Sequence, residues 1–213
     1  MKTLNKNTLA KDLATDNEGL ALTEFAFLLP ILLTLVFGGL EIANYGLAHL
    51  RVSQIAMTVA DNAGRVQTSI DEVDIYEVFE GAETVGDPID FDANGRLVLS
   101  SLEDNGHDDG RAGQMINWQR CMGDLTISPA YGVEGDGRNN DSLEDGLGPS
   151  GKQIQAGEET AVMFVEATYD YQPLVDIGFI KGTEIRYESA FNVRERANQT
   201  ITNTQSLAER SCD

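Results

Sequence analysis

The sequence predicts an α+β protein, in which a long N-terminal membrane helix continues as an amphipathic helix packed on a small, mainly antiparallel sheet. Three observations predict this class. Residues 20–43 are mostly apolar, residues 47–68 carry apolar side chains at helical spacing, and four segments of alternating apolar and polar residues follow. Because the strands come in a run after the helices, an α+β arrangement is expected.

The first apolar segment is long enough to cross a membrane. No charged residue lies between Phe25 and Leu40, and extending the run back to Leu20 gives a helix that spans a hydrocarbon core of about 30 Å. Pro30 lies inside the run, which membrane helices tolerate better than soluble ones. A cleavable secretory signal is disfavoured, because the run is too long and no small-x-small pattern follows it promptly.

The flanking charges predict the orientation of this segment. Three lysines precede the apolar run, whereas the first basic residue after it is Arg51. By the positive-inside rule the N-terminus is cytoplasmic and the large C-terminal region lies outside. The expected organisation is therefore a transmembrane helix at 20–43 and an exported domain at 44–213.

The helix is expected to continue beyond the membrane to about Thr68. Apolar residues recur at helical spacing on one side, and polar residues occupy the other faces. The apolar stripe comprises Val52, Ile55, Ala56, Val59, Ala63 and Val66. Such a stripe needs an apolar partner, and the sheet of the same chain is the natural one.

A short second helix is predicted directly afterwards. Ser69 and Glu72 have the spacing of a capping box, with the serine at the N-cap and the glutamate at N3. Apolar residues then recur on one face, and the helix is expected to end near Gly81. The alternative is a plain acidic turn.

Four segments have the alternation of strands. They are DFDANGRLVLSSL, QMINWQRC, ETAVMFVEATYDYQPL and EIRYESAFNVRER. In the first, Asn94-Gly95 is a type I′ hairpin signal. The third is the strongest candidate, with Met163 and Val165 on one face and Phe164 on the other. Residues 103–113 and 132–152 are rich in Gly, Asp and Asn and are expected to be acidic loops.

The charge balance excludes one class of partner. The 213-residue chain has 35 acidic and 15 basic residues and a formal net charge of −20. Such a chain repels phosphate backbones, so nucleic-acid binding is not expected. The simplest interpretation of the charge is solubility in an exposed compartment.

The two cysteines lie far apart in the sequence and form no CxxC motif. Together with two histidines they are too few and too scattered to predict a zinc site. In an exported domain, a disulfide between Cys121 and Cys212 is the leading interpretation. The alternative is two free thiols.

The sequence offers little catalytic or metal-binding chemistry. The acidic residues of the 132–152 loop suggest a calcium site. However, Arg138 stands at the third position of an EF-hand pattern, and the glycine at the sixth position is missing. A solvated acidic loop is therefore favoured. No G-x-S-x-G, HExxH or P-loop motif is present. His49 is expected in a surface or interfacial role, and His107 in a polar loop. We therefore predict no enzyme activity, no cofactor and no metal site.

The start of the apolar helix carries a resemblance to known proteins. Gly19, followed by LALT and then Glu24-Phe25, resembles the class III signal of type IV pilin-like proteins. The longer stretch EGLALTEFAFLLPILLTLVFGGLEIANYG resembles the TadE-like domain, found in pseudopilins or minor pilins of tight-adherence (Flp pilus) systems. Downstream, LVLSSLEDNG, INWQRC and VEATYDYQPL are also similar to longer members of that family.

The resemblance implies a location, a processing step and partners. A prepilin peptidase would remove a leader at residues 1–19, cutting after Gly19 so that Leu20 becomes the new N-terminus. The protein would lie in the bacterial inner membrane with its C-terminal domain in the periplasm, or enter the surface pilus. Its implied partners are the peptidase, the Tad inner-membrane platform proteins, the major Flp pilin and a sister pseudopilin.

The resemblance also gives the one acidic residue near the start of the membrane helix a role. Cleavage would leave a positive amine at Leu20, which the Glu24 carboxylate of a neighbouring subunit would neutralise, with Phe25 beside it, at low dielectric. The alternative is a glutamate that reaches headgroup water. The rival functions are a signal-anchored binding or adhesion protein with calcium-binding loops and, more distantly, a membrane-tethered hydrolase.

Overall fold

The structure is a computed structural model that describes residues 18–175 and 182–212. The chain divides into two compact units between Asn44 and Tyr45. The described helices are α1 (Glu18–Arg65), α2 (Glu72–Gly86) and the short α3 (Phe91–Asn94), with a 3₁₀ turn at Asp87–Ile89. The strands are β1 (Gly95–Asp104), β2 (Gln114–Met122), β3 (Ala161–Asp170) and β4 (Glu184–Asn192). The predicted α+β class is confirmed.

Helix α1 is continuous over 48 residues. Among the described residues it is the one helix that is long and apolar enough to cross a membrane. Pro30 lies within it, and the Thr34 hydroxyl donates a hydrogen bond to the Pro30 carbonyl at 2.8 Å. The helix ends at Arg65, slightly before the predicted end near Thr68, and it could not pass Thr68, whose left-handed φ of 69° does not continue a right-handed helix.

The part of α1 within the second unit packs as the amphipathic stripe predicted. Its buried residues belong to the main core together with α2 and one face of the sheet. They are Ala48, Val52, Ile55, Ala56, Val59, Ala60 and Ala63. Small and β-branched side chains dominate this list, which lets the helix lie close to the sheet.

Helix α2 exists, but its predicted start and end are wrong. Asp71 is the N-cap and forms the capping box with Asp74, whose carboxylate accepts from the Asp71 N–H at 2.8 Å. Ser69 precedes this cap because Thr202 bridges Asp71, accepts from the Glu72 N–H and donates to the Ile70 carbonyl, which holds Ile70 and Asp71 extended before the helix. The helix then runs on to Gly86 instead of ending near Gly81.

The four strands form one antiparallel sheet in the order β2-β1-β3-β4. The central pair is β1 and β3, where Leu99 lies opposite Val165. A register irregularity between Ser101 and Leu102 interrupts the pairing of β1 with β2. All four predicted strand segments therefore contribute to the sheet.

The type I′ hairpin predicted at Asn94-Gly95 is wrong. Asn94 ends α3 and Gly95 begins β1. A Cβ on Gly95 would lie 2.6 Å from the Phe91 carbonyl oxygen and equally close to the Phe91 ring. The glycine therefore serves a close approach of the chain to Phe91, and the asparagine completes a helical turn.

The sheet is covered on both faces, by different structures. Helices α1 and α2 cover the face that carries Met163 and Val165. The opposite face forms a second, smaller core, to which the long β2–β3 connection contributes. That core contains Leu102, Ile116, Leu147, Ala156, Val162 and Phe164. We call these the helix-covered face and the loop-covered face. The 132–152 segment therefore covers part of this face and buries Leu147, in addition to being an acidic loop.

The C-terminal tail returns across the domain after β4. A disulfide joins Cys212 to Cys121 on β2, with their Cα atoms 5.0 Å apart. Beside it the Cys121 N–H donates to the Arg210 carbonyl at 2.7 Å. The Tyr76 hydroxyl of α2 donates to the Ala208 carbonyl at 2.7 Å. The tail therefore ties α2 to the outer edge of β2.

Removing this disulfide is expected to lower the free energy of unfolding. In the chain-entropy model a bridge across 91 residues stabilises by about 4 kcal/mol, so the double variant Cys121→Ser/Cys212→Ser should lose roughly that amount. Denaturant titration of the full chain in detergent measures the loss through the fluorescence of Trp118, the only tryptophan, which is 2% exposed. Reductant should lower the denaturation midpoint of the wild type and leave that of the double variant unchanged. Equal midpoints for wild type and variant would contradict the prediction.

Candidate assembly site

The residues implied in processing and assembly lie together in the first two turns of α1. Leu20 and Glu24 are four residues apart and therefore share one side of the helix. Leu20 is 57% exposed, Phe25 is 61% exposed, and Glu24 is also exposed. These side chains are therefore not packed against other described residues of the chain.

Packing within the chain does not explain the glycine at position 19. A Cβ added to Gly19 would meet nothing within 4 Å among the described residues, whereas one added to Gly86 would lie 2.7 Å from the Phe91 side chain. A glycine inside a helix is less favourable than alanine by about 1 kcal/mol. No contact among the described residues therefore accounts for Gly19.

The segment from Leu20 to Leu40 exposes apolar side chains on all sides. Its large exposed residues are Leu20, Leu22, Phe25, Phe27, Leu28, Leu29, Ile31, Leu32, Leu33, Leu35, Val36, Phe37 and Leu40. Its threonine hydroxyls are satisfied within the helix, since Thr23 donates to the Leu20 carbonyl at 2.8 Å. Such a surface suits hydrocarbon rather than water.

Glu24 is the only charged residue in that segment. No hydrogen bond or ion pair joins its carboxylate to another residue of the described chain. A carboxylate at a membrane helix end is costly unless it reaches water or a positive partner. The geometry leaves Glu24 free to take a partner from a second molecule.

The C-terminal unit holds a buried ionic cluster that the sequence analysis missed. Arg120 on β2 is 5% exposed, and its Nε donates to Glu72 Oε1 at 2.6 Å, while Glu72 is 1% exposed. The Arg120 Nη1 also lies 3.2 Å from Glu134 Oε2. A signal was present: Arg120 shares a face with Trp118 and Met122, and a charge within an apolar stripe needs a buried partner. The cluster joins the first turn of α2 to β2 and to the β2–β3 connection.

A second group of ionisable residues lies on the loop-covered face. Glu166 on β3 stands directly opposite Glu188 on β4. Burial raises the pKa of the Glu166 carboxyl, although the Ala130 N–H donates to it at 2.8 Å. Burial and a hydrogen bond to Glu188 raise the pKa of Tyr131 to about 12. Tyr131 therefore stays protonated at neutral pH and acts here as a hydrogen-bond donor.

The acidic loops use their side chains to form turns. The Asp136 carboxylate accepts from the Val133 N–H at 2.8 Å. Hydrogen bonds from the Arg111 side chain hold the pKa of Asp109 down, at about 2. Among residues 18–175 and 182–212, no group of three or more His, Cys, Asp or Glu side chains is placed to hold a metal ion.

Both histidines are engaged in local contacts. His49 Nδ1 lies 3.2 Å from the Tyr187 hydroxyl, and its ring meets Tyr45 edge-on. His107 Nε2 lies 3.1 Å from the Arg138 carbonyl oxygen. His49 thus contributes to the packing between α1 and β4, and His107 ties two loops together.

Taken together, the fold and these positions define a class of protein: an α+β domain carried on one N-terminal helix that has the length and composition of a membrane span. A comparison of sequences adds a similarity over part of the chain. Residues 19–61 match the model of the family described as TadE-like protein, which confirms the resemblance over this segment. The matched segment contains Gly19, Leu20, Glu24 and Phe25. No curated protein and no solved structure matches the chain.

Proposed function

We propose that this protein is a membrane-anchored, pilin-like component that acts in the assembly of Flp (tight-adherence) pili. The observation that carries the proposal is the TadE-like match, which begins at Gly19 and covers the apolar helix. The helix would lie in the bacterial inner membrane with the N-terminus cytoplasmic. The α+β domain, 44–213, would then lie in the periplasm.

Processing by a prepilin peptidase is the second part of the proposal. The peptidase would cut after Gly19 and release residues 1–19, most of which lie outside the described residues. Two observations support the site: Gly19 has no packing role among the described residues, and it stands immediately before the apolar surface of α1. A small residue at the cut would let the peptidase approach the backbone closely.

The proposed role in assembly is structural and involves no catalysis. The exposed apolar segment from Leu20 to Leu40, with the one carboxylate of Glu24, offers packing and a single charge contact to neighbouring helices. The major Flp pilin and a sister pseudopilin would provide such helices, and the Tad platform proteins would surround the anchor. The rigid, disulfide-bonded domain would then be presented on the periplasmic side.

Intact mass after co-expression with the cognate prepilin peptidase tests the proposal. The wild type is expected to lose residues 1–19, and Gly19→Val is expected to keep them, because the added side chain blocks the peptidase. Gly38→Val is the matched control, since Gly38 lies in the same helix and also has nothing within 4 Å of an added Cβ. Full-length wild-type protein in the presence of active peptidase would refute the processing step.

A further inference from the structure

The two edges of the sheet differ in how their backbone groups are used. The outer edge of β2 is covered by the chain itself. The N–H groups of Gln114 and Ile116 donate to carbonyls of the β2–β3 connection at 3.1 and 3.0 Å. The Cys121 N–H donates to the C-terminal tail, and the Gln119 N–H donates to the Glu134 carboxylate at 2.9 Å. The edge at β2 therefore offers no place for another strand.

Among the described residues, none pairs with the outer edge of β4 between Glu184 and Ala190. Val193 bonds back to Ala161 on β3, so the odd-numbered residues of β4 face β3 and the even-numbered ones face outward. Within the described part of the chain, the backbone groups of Arg186, Glu188 and Ala190 have no hydrogen-bond partner on that side. The opening ends where the Arg194 N–H donates to the Gly64 carbonyl at 3.0 Å. We call residues 184–190 the open edge.

We propose that the open edge accepts an extended segment of another protein as a fifth, antiparallel strand. Unpaired edge groups are a template for strand addition, and several families bind peptides in this way. Pairing with the outward groups of Glu184, Arg186 and Glu188 would form up to six backbone hydrogen bonds. The existing sheet is antiparallel throughout, so the added strand continues its pattern.

The side chains of the open edge specify the chemistry of that strand. On the loop-covered face the edge presents Glu184, Arg186 and Glu188, of which the first two are exposed. Side chains directly opposite each other on neighbouring strands interact, so the partner is expected to carry a basic, an acidic and a basic residue in the same order. On the helix-covered face the half-buried Tyr187 favours apolar residues between them. Charged side chains on an edge strand also oppose aggregation. The alternating negative and positive charges disfavour strands that would place like charges opposite each other.

A second copy of the chain is a poorer occupant than a different protein. Antiparallel pairing of two β4 strands about Tyr187 would place Arg186 against Glu188 of the second copy, which is favourable. However, α1 runs along β4 in the same direction, since His49 meets Tyr187 and Gly64 meets Arg194. Such a pair would run residues 45–65 of its two α1 helices in opposite directions, and because the β2 edge is covered, it could not be extended to a third copy.

The test uses the full chain in uncharged detergent and two synthetic peptides. Thr-Lys-Val-Glu-Val-Lys-Thr has the expected pattern, and Thr-Glu-Val-Lys-Val-Glu-Thr has the charges exchanged. We expect the first peptide to slow amide hydrogen exchange in residues 184–190 and to bind about tenfold more tightly than the second at low salt. Mass-resolved hydrogen exchange measures both the location and the concentration dependence. Equal binding of the two peptides, or no protection of residues 184–190, would overturn the proposal.

Variants of the edge separate backbone pairing from charge. Arg186→Glu should reverse the preference at the central position, so that Thr-Lys-Val-Lys-Val-Lys-Thr binds better than the original peptide. Arg186→Pro removes an outward N–H, which edge strands tolerate, and should abolish binding while Trp118 fluorescence stays native. Arg111→Glu makes the same charge change in the 103–113 loop and should not alter the binding of any of these peptides.

If the free chain forms a dimer that protects residues 184–190, the occupant is a second copy and the proposal is wrong. Failed leader cleavage, in contrast, bears only on the proposed function.

Discussion

Replacing Arg120 with methionine is expected to lower the free energy of unfolding of the C-terminal unit by about 3–5 kcal/mol. Arg120 and Glu72 are both almost fully buried, so the variant leaves the Glu72 carboxylate without a counter-charge in an apolar setting. Glu72 has little other compensation, because its Oε2 atom is buried and has no hydrogen-bond partner in the described chain. The guanidinium is the main group that makes this buried carboxylate tolerable.

Denaturant titration followed by Trp118 fluorescence measures this loss in the full chain. Arg111→Met is the matched control, since Arg111 forms an ion pair at 2.6 Å with Asp109 that is exposed to solvent. Exposed pairs contribute little, and the control should leave the midpoint unchanged. The double variant Arg120→Met/Glu72→Leu removes both charges and should recover most of the lost stability. Two outcomes would show that the ion pair does not stabilise the domain. In one, Arg120→Met has the same denaturation midpoint as Arg111→Met; in the other, Arg120→Met/Glu72→Leu has a midpoint as low as that of Arg120→Met.

The Arg120 cluster also explains why α2 sits where it does. Glu72 occupies the first turn of α2, directly after the Asp71 cap that Thr202 holds in place. The buried Glu72–Arg120 pair joins the start of the helix directly to β2. The expected loss of stability in Arg120→Met should therefore be accompanied by faster amide exchange in the first turn of α2.

The parts of the fold that depend on local periodicity were predicted well. The α1 stripe at Val52, Ile55 and Val59 and the alternation of Met163 and Val165 on β3 repeat over several turns or residues. A pattern of that length overrides any single unusual residue. Gly19, Leu20 and Glu24 also lie within two turns of one helix, but their roles in processing and charge pairing depend on other molecules and stay predictions.

The errors arose where contacts outside the turn or cap motif decide the local structure. Asn94-Gly95 has the preferred composition of a tight hairpin, but the ring of Phe91 fills the space beside Gly95 and makes it the start of a strand. Ser69 is a good helix cap, but pairing with Thr202 leaves that role to Asp71. The Thr202 contact lies 131 residues away from Asp71, and the Phe91 contact depends on a helical turn that the dipeptide Asn94-Gly95 does not reveal.

Replacing Glu24 with alanine is expected to leave the protein in the membrane and to abolish surface pili. The substitution removes a carboxylate whose burial in hydrocarbon costs roughly 2.5 kcal/mol or more, so insertion should be unimpaired. Assembly differs, because the new amine of Leu20 would then lack the carboxylate of a neighbouring subunit at low dielectric. Alkaline extraction of membranes and electron microscopy of a complemented deletion strain measure the two outcomes separately.

The position of the carboxylate should matter as much as its charge. Inserting one alanine between Thr23 and Glu24 keeps the charge but turns it about 100° around the helix and moves it 1.5 Å farther from Leu20. This variant should also lack pili, whereas an alanine inserted after Thr34 preserves the spacing from Gly19 to Glu24 and is the control. Glu24→Asp keeps charge and position and should retain partial piliation. Normal pili in Glu24→Ala would refute the charge pairing. They would show that the Leu20 amine needs no carboxylate partner in the assembly, so Glu24 would have no role as its counter-charge.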